Sequence, residues 1–301
     1  MNNLLVVGIG EALWDVFPDG KRIGGAPANF AYHVSQFGLN GVAISAIGND
    51  KLGFEIIEEF NKNNFNYCLE QVQYPTGRVN VEIDDNGHPF YEIMNDVAWD
   101  YIPLTSEIKS IAKQTSAVCF GSLAQRSEIT RSTINTFLDE MDLEVGLYKI
   151  FDINLRQHFY NKDIIDNSLN KCNVLKINDD ELNIVCKMFN YGGVDLKEKA
   201  TIILNKYDLE FVILTCGVNG SYIFTKDITS FVDTPRVDVK NTVVAGDSFT
   251  AAFISALLYN KDIIFAHNFA VEVSAYVCTK SGAMPKLPKY IVDKIKSTSK
   301  K

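Results

Sequence analysis

A doubly wound α/β fold, meaning a mostly parallel sheet flanked by helices, is what this sequence predicts, and three observations predict it. Its apolar segments are short and continuous, stretches of helical period separate them, and one early segment alternates apolar and polar residues instead. Continuous apolar runs mark strands buried on both faces, because an exposed face would put a polar residue at every second position.

In chain order the strand candidates are residues 4–9, 42–47, 117–120, 148–153, 174–177 and 211–214. Between them, residues 27–37, 54–61, 128–141, 179–189 and 245–259 carry apolar side chains at spacings of three and four, with Gly or Pro at many ends. Strand followed by helix, repeated, gives the parallel order. From 67 to 93 the helical period disappears: NYCLEQVQ, GRVNVEID and HPFYEIM alternate, with a turn at Asp84-Asp85-Asn86-Gly87. This predicts a small antiparallel β lid, inserted at about 67–94 over the ligand-binding edge of a single domain spanning 1–301. A hairpin without a role in binding is the plainer alternative.

The 301 residues are 47% hydrophobic and 22% charged, a composition that packs a core and excludes a disordered chain. Twenty-nine basic residues against 37 acidic ones leave a formal charge of −8, and no Lys/Arg run offers the field that nucleic acid requires. No apolar run reaches the roughly 18–20 residues of a membrane span. The opening MNNLLVVGIGEALWD has neither a basic residue nor a cleavage site, so it reads as a first strand, and a cytoplasmic location is expected. Six cysteines (68, 119, 172, 186, 216 and 278) form no Cys-x-x-Cys pair and are expected to be reduced and structural. Gly8-Ile9-Gly10 lacks the third glycine of a dinucleotide fingerprint, and the four histidines show no metal-ligand spacing.

Two stretches carry chemistry. In VVAGDSFTAAFISALL (243–258), small residues precede a strongly helical run, so the amides of Val244, Ala245 and Gly246 can face an anion at a helix N-terminus. Asp247 follows in the first turn, where the dipole keeps a carboxylate ionised; beside bound phosphate it can take the proton of an attacking hydroxyl, or it can simply cap the helix. In RIGGAPANFAYHVSQFG (22–38), Gly24 and Gly25 allow close backbone approach, Pro27 opens a helix, and Asn29 projects from its first turn. Asp15, just after the first strand, can accept hydrogen bonds from two adjacent hydroxyls of a polyol, with an ordinary tight turn as the alternative for the glycines.

GGAPANFA, GNDKLG (48–53), DINLR (152–156), NDDE (178–181), TCGVNG (215–220) and AGDSFTAAF (245–253) occur in the order and spacing of the ribokinase, or PfkB, family of sugar kinases, which the chain resembles from about residue 3 to 290. GEALWD, GGAPANFA, FGSLAQRS and FDINLRQ are most similar to bacterial fructokinases within it. The resemblance implies a ribokinase-like fold and an ATP-dependent, magnesium-requiring kinase acting on a primary hydroxyl of a small sugar, with fructose expected. Asp247 matches the base and residues 244–246 the anion hole; Asp15, Gly24, Gly25, Asn29 and Arg156 match substrate positions. Asn178 and Glu181 match the motif that organises Mg2+ through water, while Thr215, Gly217, Gly220 and Gly282 match the nucleotide site. Asn241, Val243 and Ser281 match the segments of a K+ site. The lid of many family members forms a homodimer contact, so a dimer is expected.

The sequence departs from the family motif at Asn241, where the family has Asp, and at Val244, where it has Gly. A β-branched residue at 244 is expected to narrow or rotate the anion hole, so that Val244→Gly would raise turnover. Alternative readings are another kinase of the family, for ribose, a 2-keto-3-deoxy acid or a nucleoside, and a sugar- or nucleotide-binding protein with blunted catalysis.

Overall fold

The computed structural model describes residues 4–83, 89–142, 144–240, 242 and 244–297. The first half contains β1 (Leu5–Ile9), β2 (Leu13–Phe17), β3 (Gly20–Gly24), α1 (Ala26–Gln36), β4 (Asn40–Gly48), α2 (Lys51–Lys62) and β5 (Asn66–Val72). After β6 (Arg78–Ile83) and β7 (Pro89–Ile93) come α3 (Ser106–Gln114), β8 (Thr115–Gly121) and α4 (Glu128–Glu140). Next are β9 (Tyr148–Asp152), α5 (Lys162–Lys171), β10 (Val174–Asn178), α6 (Asp179–Phe189), α7 (Leu196–Lys206) and β11 (Phe211–Thr215). The chain closes with β12 (Ser221–Phe224), β13 (Thr229–Val232), α8 (Ala245–Leu258), α9 (Ile263–Cys278) and α10 (Lys289–Lys296).

Nine strands form one sheet in the order β13-β12-β11-β10-β9-β8-β1-β4-β5, parallel throughout except for β12 and β13. All six predicted strands lie in it. Each is continuous in hydrophobicity because helices cover both faces: Val7 and Ile9 point into the core beneath α3 to α7, while Val6 points into the one beneath α1, α2 and α8 to α10. The edge pair β12 and β13 is pinned by buried His267 of α9, whose ring nitrogens lie 2.8 Å from Ser221 Oγ and Ser230 Oγ.

The alternating segment divides between two sheets. β5 pairs in parallel with β4 and ends the main sheet, where a half-exposed edge alternates as a lid strand does. The second sheet, in the order β3-β2-β6-β7, consists of two antiparallel hairpins joined by a parallel pairing of β2 with β6. The lid therefore recruits residues 13–24, and Asp15 lies on lid strand β2 rather than on the loop after β1. Trp14 Nε1 donates to Leu52 O at 3.0 Å, tying the lid to α2. The expected turn at Asp84-Asp85-Asn86-Gly87 lies outside the described residues.

All six cysteines are free and buried. Among the described residues no helix is long and apolar enough to cross a membrane.

Candidate active site

A cleft of about 1410 Å³ opens between the carboxyl ends of the parallel strands and the lid. Leu13, Asp15, Val79 and Ile93 form its lid wall, and the first turn of α8 forms its opposite wall. Strand order produces this: β10 and β11 end beside the α8 N-terminus, while β1 delivers Glu11 and lid strand β3 delivers Gly25 from the other side.

Asp247 sits in the first turn of α8, 9% exposed, and Asn29 Nδ2 donates to its Oδ2 at 2.8 Å. One hydrogen bond thus joins the two motifs across 218 residues. Burial raises the Asp247 pKa to about 7, with Asp152 pushing the same way, while Asn29, Lys176 and Arg156 oppose. The helix dipole alone was expected to keep this carboxyl strongly acidic; desolvation outweighs it and leaves a group poised near neutrality.

On the polyol side, Gly25 caps α1 at φ +111°, and a Cβ there would lie 2.2 Å from Glu11 O. A Cβ on Gly24 would lie 2.5 Å from Asp15 Oδ2, so this glycine makes room for the carboxylate without itself lining the cleft. Burial raises Asp15 to about 6 and Glu11 to about 7, partly offset by Arg156 in both cases. Arg156 is exposed at the cleft mouth.

On the nucleotide side, Asn178 and Glu181 form a capping box on α6. Asn178 Oδ1 accepts Glu181 N–H at 2.8 Å, and Glu181 Oε2 accepts Asn178 N–H at 2.9 Å. Glu181 Oε1 accepts Leu155 N–H at 2.9 Å, so each carboxylate oxygen already holds one amide. Such a carboxylate suits a hydrated divalent cation, which keeps most of its waters and takes the rest of its oxygens from phosphates. Thr215, Gly217 and Gly220 line the cleft beside them.

Ser281 and Gly282 do not line the cleft; their neighbours Cys278 and Ala283 do. Asn241 and Val243 lie outside the described residues. At the anion hole, Ala245 N–H donates to Thr242 O at 3.1 Å, which engages one of the three expected amides within the loop itself.

Val244 has φ −103° and ψ 4°, in the bridge region on the negative-φ side, and its side chain is 2% exposed in the core cluster that holds Phe249 and Val273. Val244 also lines the cleft, so its side chain serves both the core and the cleft wall. Val244→Gly is expected to cost about 2–4 kcal/mol through lost burial and loop entropy, without raising kcat. Urea denaturation alongside steady-state rates checks both, and a faster variant would restore the obstruction.

Sequence reasoning missed Lys176, Asp152 and Glu11. Lys176 Nζ lies 3.3 Å from Asp152 Oδ1, both side chains being at least nine-tenths buried. A lysine inside the apolar run VLKIN was the available signal, since an unpaired charge there would cost several kcal/mol.

Three carboxyls here titrate well above their unfolded values, whereas buried His33 and His267 are both lowered to about 4. The folded state therefore binds more protons than the unfolded state between pH 6 and 8. Stability from the carboxyls is fully present below their unfolded values and is lost as pH rises through 6 to 7; the histidines oppose with two groups against three. The Tm of the ligand-free protein should fall from pH 6 to 8. A midpoint that rises over this interval contradicts the assignment.

The chain belongs to the pfkB family of carbohydrate kinases, whose family model matches residues 11–290. It is 25% identical to "Probable fructokinase-2" of Arabidopsis thaliana over 95% of this chain and 94% of that one. It is 26% identical to "ATP-dependent 6-phosphofructokinase" of Thermoanaerobacterium thermosaccharolyticum over 92% and 84%. Fructokinase from Vibrio cholerae O395, solved with fructose, ADP and calcium ion, superposes with a TM-score of 0.81 at 22% identity, covering 97% of this chain and 99% of that one.

Proposed function

We propose that the protein transfers the γ-phosphoryl group of ATP to a primary hydroxyl of fructose. The observation that carries this reading is the bond between Asn29 and Asp247, which places a carboxyl of pKa about 7 between a polyol loop and a helix N-terminus. Asp247 takes the hydroxyl proton as that oxygen bonds to the γ-phosphorus and the bond to ADP breaks. The amides at the N-terminus of α8 face the oxygens that gain charge. The lid strands exclude water. A divalent cation, when bound, neutralises the nucleotide phosphates, and Asn178 and Glu181 are the residues placed to hold its water shell. Arg156 at the mouth supplies positive charge to the incoming phosphates. The K+ expectation rests on Asn241, Val243 and exposed Ser281, and no step uses it.

The sugar end favours a neutral acceptor. Glu11, Asp15 and Asp247 all face it, which repels a sugar phosphate or a keto acid and leaves two adjacent hydroxyls of a ketose as the natural donors. Sugar-dependent ADP release, measured with fructose, ribose, fructose 6-phosphate, a 2-keto-3-deoxy acid and a nucleoside, tests it. Fructose is expected to lead. Faster release with a phosphorylated acceptor would overturn the choice of substrate, and tight sugar binding without release would overturn the reaction. A homodimer through the lid, whose free edges are β3 and β7, is a separate proposal. Light scattering of a monomer at micromolar concentration removes it.

A further inference from the structure

We propose that His33 and Gln36 are positioning residues that hold the segment 281–287 to helix α1, so that the helix presenting Asn29 to the acceptor also sets the place of the nucleotide wall. The inference rests on the phosphoryl-transfer reading of the cleft. Asn29, His33 and Gln36 stand four and three residues apart and so share one face of α1. Asn29 and His33 are 4% and 0% exposed, and polar side chains buried this deeply cost free energy unless each is bonded. Asn29 meets Asp247, whereas the other two turn to 281–287.

That segment depends on α1 for its shape. It is neither helix nor strand, and among the described residues no backbone–backbone hydrogen bond joins 281–287 to itself or to the rest of the chain. Side chains take its polar groups instead. Leu287 N–H donates to Gln36 Oε1 at 2.7 Å, which turns Gln36 Nε2 towards Pro285 O at 3.2 Å and His33 Nδ1 at 3.4 Å. Ala283 O can only accept, so His33 carries its proton on Nε2, 3.2 Å away. The ring has to be neutral to accept on one nitrogen and donate from the other, and burial holds its pKa down at about 4. The one further contact of this kind is Tyr276, whose hydroxyl donates to Lys286 O at 3.4 Å.

The segment matters because Ala283 lines the cleft, together with Val271, Ala275 and Cys278 of α9. An apolar wall of this kind takes the base of a nucleotide, whereas Glu11 and Asp15 at the lid end take hydroxyls. Apolar side chains at 33 and 36 could pack α1 equally well, but they would not fix the register of a segment that has no ladder of its own; directional bonds do. From Asn29 to Gln36 the helix rises about 10 Å, and it is stiff over that length. Acceptor and donor are thus held at one spacing by a single element, and a misplacement of about 1 Å between reacting groups costs up to about 10² in rate.

The test measures, by calorimetry, the affinity for a non-hydrolysable ATP analogue with magnesium and, separately, for fructose, together with kcat and Tm. The proteins are the wild type, His33→Leu, His33→Gln and Gln36→Met, the last altering a half-buried position where folding is least at risk. Analogue affinity is expected to fall about five- to tenfold in His33→Leu and Gln36→Met while fructose affinity stays within about twofold, because only the nucleotide wall is released. Turnover is expected to fall about tenfold with both substrates saturating. His33→Gln, which keeps a donor within reach of Ala283 O, should recover most of both losses. A lowered Tm with analogue affinity and kcat within about twofold of the wild type overturns the proposal, since the clamp then serves the fold alone. Equal weakening of analogue and fructose, or no recovery in His33→Gln, overturns it as well. If the wild type binds the analogue but not fructose, the choice of acceptor falls, and the analogue affinities still decide the role of His33 and Gln36.

Discussion

Asp247→Asn is expected to lower kcat by about 10²–10⁴-fold while the sugar KM changes little, since the amide keeps the shape of the carboxyl but cannot take a proton. The wild-type rate should fall as pH drops below about 7, where burial and Asp152 leave Asp247 increasingly protonated. The residual rate of Asp247→Asn should lose this acidic limb. The substitution also removes a buried charge, so its Tm at pH 8 should equal or exceed that of the wild type. A variant with near-normal turnover would sink the assignment, and one that loses both activity and Tm would mean that Asp247 serves the fold first.

Arg126→Met is expected to cost about 3–5 kcal/mol, the range for breaking one side of a buried ion pair. The pair is well buried, with Arg126 and Asp100 side chains 8% and 6% exposed. Arg126 Nε and Nη2 each donate to an Asp100 carboxylate oxygen at 2.8 Å, and Nη2 also donates to Met94 O at 2.6 Å. The guanidinium lies over the Trp99 and Phe159 rings, 4.1 and 4.5 Å from their centroids. Met94 directly follows lid strand β7, so this one arginine fastens the returning lid to the body. Arg126→Met/Asp100→Asn should recover part of the loss, because no uncompensated carboxylate then remains buried. Urea denaturation of the three proteins measures it, and a cost below about 1 kcal/mol would place the pair with weak surface bridges.

Much of the fold was legible because its determinants are local. The six apolar runs became strands of one sheet, and the predicted helix at Asp179–Phe189 matches its observed bounds, since Asn178 and Glu181 form a capping box three positions apart in the chain. The NYCLEQVQ segment could not be placed by the same means. Alternation reports one covered face, and the edge of a large sheet and a small lid both have one.

The residue types of the site were likewise readable: a Gly-Gly loop, an Asn one turn later, and an Asp at the start of an apolar helix. What the sequence determined by itself was periodicity, capping and the residue types available at each motif, which depend on neighbours within a few positions. Only the tertiary structure decided that Asn29 meets Asp247, that Lys176 meets Asp152, that Val244 belongs to the core, and that a first-turn aspartate titrates near 7. Each of these depends on strand order and on the exclusion of water by segments distant in the chain. Desolvation belongs to the assembled cleft and not to any stretch of letters within it.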